Sequence, residues 1–161
     1  LSHRLEAWVQ VRMLWRRNAY SRRLMQHTLY LGLGSNLGDK QQNIAMAVEK
    51  IEELIGHVEC QSALHITEPW GFQSDNMFVN AAVKCVTILS PHEVLEKTKD
   101  IERQMGRTTK SVDGTYKDRI IDIDILLYDD MEINDPDLVI PHPLMHQRDF
   151  VMKPLNEIID K

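Results

Sequence analysis

Apolar and polar positions along this chain change period several times. Residues 28–33 read as a strand and 34–39 as a glycine-containing loop. Over residues 40–55 the apolar positions are Ile44, Ala47, Val48, Ile51, Leu54 and Ile55, the spacing of an amphipathic helix. Asp39 or Asn36 is placed to cap it. Residues 58–67 read as a second strand ended by Glu68-Pro69-Trp70-Gly71, and 78–89 as a third, rich in Val, Ile and Thr with Ala81-Ala82 in its middle. Ser90-Pro91 opens a second helix running to about Met105, with the proline in the first turn, where its missing N–H costs nothing. A polar stretch over 107–118 then leads into 120–128, the most strand-like segment of all. The order β-α-β-β-α-β predicts an α+β domain of ferredoxin-like type, an antiparallel sheet with its helices on one face. Residues 129–161 add a C-terminal extension: a turn, the Pro141-His142-Pro143 corner and a short helix.

Composition narrows this without changing it. A chain of 161 residues, 43% hydrophobic and 27% charged, builds one core and is neither disordered nor collagen-like. No apolar run approaches the roughly 18 residues of a membrane span. Cys60 and Cys85 form no Cys-x-x-Cys pair, so we expect two ordinary buried thiols, no structural zinc and a reducing, cytoplasmic setting. The net charge of -5 conceals an asymmetry: residues 1–24 carry six arginines against Glu6, a net of +5, which leaves -10 for the remainder. An acidic body does not bind nucleic acid through bulk charge, so a polyanion must be held by a few placed cations or by metal ions. In the basic segment Leu5, Trp8, Val11 and Trp15 fall at the spacing of one helix face. We read residues 1–24 as upstream sequence before a native start at Met25, outside a functional unit spanning 25–161. A transit peptide and a helix for a membrane surface or partner are the alternatives.

The sharpest chemical signal is Arg119-Ile120-Ile121-Asp122-Ile123-Asp124-Ile125. In a strand, Ile121, Ile123, Ile125 and Leu127 share the core face while Asp122 and Asp124 share the other, their Cα atoms about 6.5 Å apart. Carboxylates at that spacing can hold a pair of cations about 3.5–4 Å apart, and hard oxygen ligands point to magnesium. The alternative is an amphipathic strand whose polar face meets solvent. Aspartate is disfavoured in strands, however, and like charges side by side repel.

Other candidates are weaker alone. The run from Gly32 to Gly38 is one residue too long for G-x-G-x-x-G and lacks the Gly-Lys-Ser/Thr of a phosphate loop, so it reads as a tight strand-to-helix turn. Arg107, Lys110, Lys117 and Arg119, four cations within 13 residues, suit a polyphosphate clamp or a solvated loop. His142 sits on a rigid corner, either as a structural turn or as a phosphate contact. Trp70 and Phe72 in a loop, and Phe78 and Asn80 opening the third strand, could enclose a planar heterocycle and meet its polar edge, or simply anchor the loop.

Taken in order, the chain resembles the 6-hydroxymethyl-7,8-dihydropterin pyrophosphokinase family over residues 29–159. The resemblance rests on Gly34-Ser35-Asn36-Leu37-Gly38, Thr67-Glu68-Pro69-Trp70-Gly71, Phe78-Val79-Asn80-Ala81-Ala82-Val83, Ile101-Glu102 with Gly106-Arg107, Arg119-Ile120-Ile121-Asp122-Ile123-Asp124, and Pro141-His142-Pro143 followed by Arg148-Asp149-Phe150. It implies transfer of the terminal diphosphate of ATP to the hydroxymethyl oxygen of the pterin, with release of AMP, in folate biosynthesis. It further implies that Asp122 and Asp124 hold two magnesium ions. Arg107, Arg119, His142 and Arg148 would contact phosphates, and Lys99, Glu102 and Lys110 would lie near ATP. Thr67 and Asn80 would meet the pterin edge, Trp70 and Phe150 would stack on its faces, and Phe78 would line its pocket. The chain departs from the family at Lys117-Asp118, where Gly-Pro is frequent.

Beyond ATP and the pterin the resemblance implies no nucleic acid, membrane or obligatory protein partner. A ferredoxin-like regulatory module would explain the fold and aromatic pocket but not the paired aspartates. Another metal-dependent phosphoryl or nucleotidyl transferase would share the aspartates but not need Trp70, Asn80 and Phe150.

Overall fold

The computed structural model describes residues 25–68, 77–106 and 119–160, with helical positions 6, 7, 9, 10, 12 and 13. The apolar stripe expected at Leu5, Trp8, Val11 and Trp15 lies outside the described residues. Strand β1 (His27–Ser35) is central. It is followed by α1 (Lys40–Leu54), β2 (His57–Gln61), β3 (His65–Thr67), β4 (Phe78–Thr87), α2 (Pro91–Gln104) and β5 (Asp122–Tyr128). A small ribbon of β6 (Ile133–Asn134) and β7 (Val139–Ile140), a 3-10 turn (Met145–Gln147) and α3 (Asp149–Ile158) complete the chain. The main sheet has the order β2-β4-β1-β5, with β3 also paired to β4 and every pairing antiparallel. This is an α+β architecture.

Period-two alternation divides the sheet into two apolar faces. Leu29, Leu31 and Leu33 of β1 and Val79, Ala81, Val83 and Cys85 of β4 pack with Ile44, Ala47 and Ile51 of α1 and Val94 and Ile101 of α2. Tyr30, Ala82 and Leu126 turn the other way and meet Val151, Leu155 and Ile158 of α3. The C-terminal helix therefore covers the face opposite α1 and α2. None of the helices among the described residues is long and apolar enough to cross a membrane.

The helix starts follow the expected chemistry. Asp39 caps α1, its carboxylate accepting from the Gln42 N–H at 3.1 Å, while Asn36 has a different task described below. Ser90 and Glu93 form a reciprocal capping box on α2 with Pro91 in the first turn. After α1 the chain turns at Gly56, where a Cβ would lie 2.2 Å from the Val86 carbonyl oxygen, so only glycine allows this approach.

Three expectations are corrected. The strand expected over 58–67 is two strands, because Ser62 uses its hydroxyl to accept from the Ala82 N–H at 2.9 Å and steps the chain out of the ladder. The expected loop at 34–39 begins later, since β1 continues through Gly34 and Ser35. Leu127 does not join the first core. Tyr30 pairs with Leu127 and Leu31 with Ile125, leaving Leu126 as an extra residue; beyond this bulge Leu127 packs on the second cluster and Tyr128 on the first.

Candidate active site

The α3-covered face of β1 carries Gly32 and Gly34, and their neighbours define the site. In register, Gly34 lies between Asn80 on β4 and Asp122 on β5, and Gly32 between Ala82 and Asp124. With strands about 4.8 Å apart, the Cα atoms of the asparagine and the aspartate lie roughly 10 Å apart with only a glycine between them. A Cβ at Gly34 would stand 3.1 Å from Asn80 Oδ1 and 3.6 Å from the Phe78 ring. The glycines read as part of a turn are thus strand residues that keep this floor open.

Above the floor lies a cavity that opens to solvent. Thr67, Phe78 and Asn80 form one wall and Phe150 and Val151 another. Asn80 Nδ2 donates to Thr67 Oγ1 at 2.7 Å, which fixes the amide's orientation and leaves its oxygen turned toward Gly34.

A second, more open hollow beside it is polar. Lys99 and Glu102 of α2, Arg119, and His142 line it. Asp122, Asp124 and Arg148 line both hollows, so the two chambers meet at the paired carboxylates. Arg119 Nη1 donates to Asp122 Oδ1 at 3.0 Å, and Glu102 Oε2 accepts from the Ile123 N–H at 3.3 Å, tying α2 to the carboxylate strand. Burial first, then the charges of Asp122 and Glu102, raise the Asp124 pKa well above the carboxylate range, against the opposing pull of Arg148 and Arg119.

Arg119 is itself held by the turn after β1. The Asn36 N–H donates to the Arg119 carbonyl at 3.0 Å, and Asn36 Oδ1 accepts from the Arg119 N–H. His142 is tied through its N–H to the Leu126 carbonyl at 3.1 Å. Burial and the nearby Arg148 lower its pKa, opposed by Asp122, and its buried Nδ1 has no hydrogen-bond partner among the described residues. The Arg148 guanidinium carbon stands 5.6 Å from the Phe150 ring centroid, a cation–π contact at the junction of the chambers.

The structure brings together Thr67, Phe78, Asn80, Lys99, Glu102, Arg119, Asp122, Asp124, His142, Arg148 and Phe150 from the sequence reading. Trp70, Phe72, Arg107, Lys110 and Lys117 lie outside the described residues. Sequence reasoning gave no role to Leu95 and Thr98, which line the polar hollow beside Lys99. Their helical spacing signalled only a face of α2.

A family model described as 7,8-dihydro-6-hydroxymethylpterin-pyrophosphokinase (HPPK) matches residues 30–160. The chain belongs to this family. It is 46% identical over 131 residues to the 2-amino-4-hydroxy-6-hydroxymethyldihydropteridine pyrophosphokinase of Porphyromonas gingivalis, covering 81% of this chain and 89% of that one. The enzyme of the same name from Aquifex aeolicus is 44% identical, covering 81% and 79%, and that from Bacillus subtilis 38%, covering 83% and 79%. Among solved structures, a Plasmodium falciparum HPPK-DHPS superposes with a TM-score of 0.68 at 18% identity, a likeness of fold. The match covers 83% of this chain and 42% of that longer one.

Within the HPPK fold the junction suits a hard cation. Asp122 and Asp124 line it with Glu102 beside them, and their donor atoms are all carboxylate oxygens. No histidine or thiol is needed to explain that set.

Proposed function

We infer that this HPPK transfers the β,γ-diphosphate of ATP to the hydroxymethyl oxygen of 6-hydroxymethyl-7,8-dihydropterin, a step of folate synthesis. The observation that carries the reading is the meeting of two chambers at Asp122, Asp124 and Arg148. One chamber has a glycine floor and an amide wall suited to a flat heterocycle, and the other is lined with cations and carboxylates suited to a metal-bound polyphosphate. The strand order, with β2 and β3 as one interrupted strand, supports a ferredoxin-like arrangement of the core extended by β6, β7 and α3.

Asn80, oriented by Thr67, meets the pterin edge, Phe78 lines its pocket, and Phe150 offers a stacking face, with Trp70 assigned to the opposite face. Arg119, His142 and Arg148 contact phosphate oxygens together with Arg107 and Lys110, and Lys99 and Glu102 lie near the nucleotide. Asp122 and Asp124 hold magnesium, which, when bound, neutralises the phosphate charge that builds up in transfer. The hydroxymethyl oxygen bonds to the β-phosphorus as the bridge to the α-phosphate breaks. AMP departs with the bridging oxygen's electron pair, and the hydroxyl proton is released. Most of the rate comes from alignment and fixed charge. The catalytic unit lies in residues 25–161, with 1–24 an extension outside it.

The released nucleotide tests the reading. With ATP, magnesium and 6-hydroxymethyl-7,8-dihydropterin, AMP and pterin diphosphate should form in equal amounts and only when all components are present. ADP would mean attack at the γ-phosphorus; pterin binding without nucleotide consumption would mean a binding module.

A further inference from the structure

The pterin-side cavity depends on an edge strand that is weak by itself. Strand β3 is three residues long, pairs among the described residues only with β4, and follows the break at 62–64. It nevertheless carries Thr67, which orients Asn80, and it places His65 opposite Asn80. So short a strand frays readily unless something else ties it down.

The tie comes from the helix on the other side of the cavity. Glu157 of α3 accepts through Oε1 from the Ala63 N–H at 2.9 Å, and its Oε2 is hydrogen-bonded to His65 Nε2. One carboxylate thus engages the chain both at the break and at the first residue of β3. Glu157 and Phe150 are seven positions apart on α3, two turns or about 10.5 Å, and so share one side of the helix. The helix that brings Phe150 to one wall of the cavity is anchored two turns on to the strand that forms the other.

We propose that Glu157 is a positioning residue for the acceptor pocket: its carboxylate latches β3, and with it Thr67, to α3, and so sets the separation of the Thr67–Asn80 wall from the Phe150 wall. This rests on the assignment of that cavity to the pterin. Among the described residues Glu157 lines neither the cavity nor the polar hollow, so its effect should fall on the one substrate whose wall it ties down.

The test is steady-state kinetics with both substrates varied, on the full chain, for wild type, Glu157→Ala, Glu157→Gln and His65→Gln, with amide exchange over residues 63–67. Glu157→Ala should raise the pterin KM about fivefold, as loss of a hydrogen bond of about 1 kcal/mol predicts. Its kcat at saturating pterin and its KM for ATP should hold, and exchange at Ala63 should accelerate. Glu157→Gln keeps an acceptor for the Ala63 N–H and should fall between, so the proposal stays testable if the alanine variant folds poorly. His65→Gln should raise the pterin KM less than Glu157→Ala. An unchanged pterin KM in Glu157→Ala and Glu157→Gln, or an equal rise in KM for both substrates, overturns the latch. AMP formation by wild type is the control: its absence overturns the assigned reaction, whereas its presence with unaltered variants overturns the latch alone.

Discussion

Asn36 and Arg119 hold each other across 83 residues of sequence, the N–H of the first donating to the carbonyl of the second at 3.0 Å and the side-chain oxygen of the first accepting in return. Asn36 is fully buried. Its neighbour in the loop, Asp39, caps α1 instead, so the turn after β1 divides two polar side chains between two jobs. Arg119 is thereby fixed where it pairs with Asp122 at 3.0 Å, immediately before the carboxylate strand.

Asn36→Ala should cost about 1–3 kcal/mol of stability, because it strands the partly buried backbone N–H of Arg119. It should also lower kcat, since Arg119 loses its register with Asp122. Asn36→Asp retains the acceptor and should recover part of both. Urea denaturation and turnover measured side by side decide this; a stable but slow Asn36→Ala protein would mean that positioning outweighs folding.

Gly34→Ala probes the cavity floor. The added Cβ would stand 3.1 Å from Asn80 Oδ1, closer than most such contacts, so the amide must give way. The pterin KM should rise while the ATP KM changes little, and stability should fall by about 1–3 kcal/mol, the scale of an overpacked methyl. Equal effects on the two substrates would place Gly34 outside the pterin chamber.

How much of this was legible beforehand depends on how far each feature reaches along the chain. The pairing of Asp122 with Asp124 on one face, and of Ile121, Ile123 and Ile125 on the other, is local to one strand and was readable from its alternation. Leu127 broke the pattern because the bulge at Leu126 arises from pairing with Tyr30 and Leu31, almost a hundred residues earlier. Gly32 and Gly34 look like a turn in isolation and acquire their meaning only from Asn80 and Asp122 on the two neighbouring strands. Glu157 left no signal at all, since an acid near the end of a helix is common and its partners lie more than ninety positions away.

Asp122→Asn and Asp124→Asn should each nearly abolish turnover at saturating magnesium. The magnesium-free Asp124→Asn protein should also be more stable than wild type at neutral pH, because burial and the charges of Asp122 and Glu102 oppose ionisation of Asp124. Calorimetry with and without magnesium separates the two effects: magnesium should raise the wild-type Tm and leave the variant's nearly unmoved. A variant as active as wild type would remove the two-aspartate metal assignment.

The two cysteines should differ sharply toward a thiol reagent. Cys85 of β4 is fully buried in the core on the sheet face covered by α1 and α2, and burial raises its pKa to about 12, so almost no thiolate exists at pH 8. Cys60 is only half-buried. One equivalent of label should enter the native protein at Cys60 and the second only on unfolding, as peptide mass mapping would show. Rapid native labelling of Cys85 would mean that the sheet opens far more readily than its packing indicates.

Arg148 offers the most demanding test, because it belongs to both chambers. It is 5% exposed, lines the cavity over Gly34 and the polar hollow together, and lies over the Phe150 ring. A guanidinium there can meet a phosphate oxygen through its planar fork while its face remains on the ring, which an ammonium cannot do. Arg148→Lys preserves the charge and should still raise KM for both substrates, unlike Asn80→Ala, which should affect the pterin alone. Substrate coupling gives the sharper readout. If Arg148 is drawn into place by bound nucleotide and in turn sets Phe150, a non-hydrolysable ATP analogue should tighten pterin binding to wild type, and that gain should shrink in Arg148→Lys. Phe150→Leu, which removes the ring and keeps the arginine, should lose the same gain. Titration of pterin by calorimetry, with and without the analogue, measures it directly. A gain that survives intact in both variants would show that the two chambers share Arg148 as a wall without communicating through it.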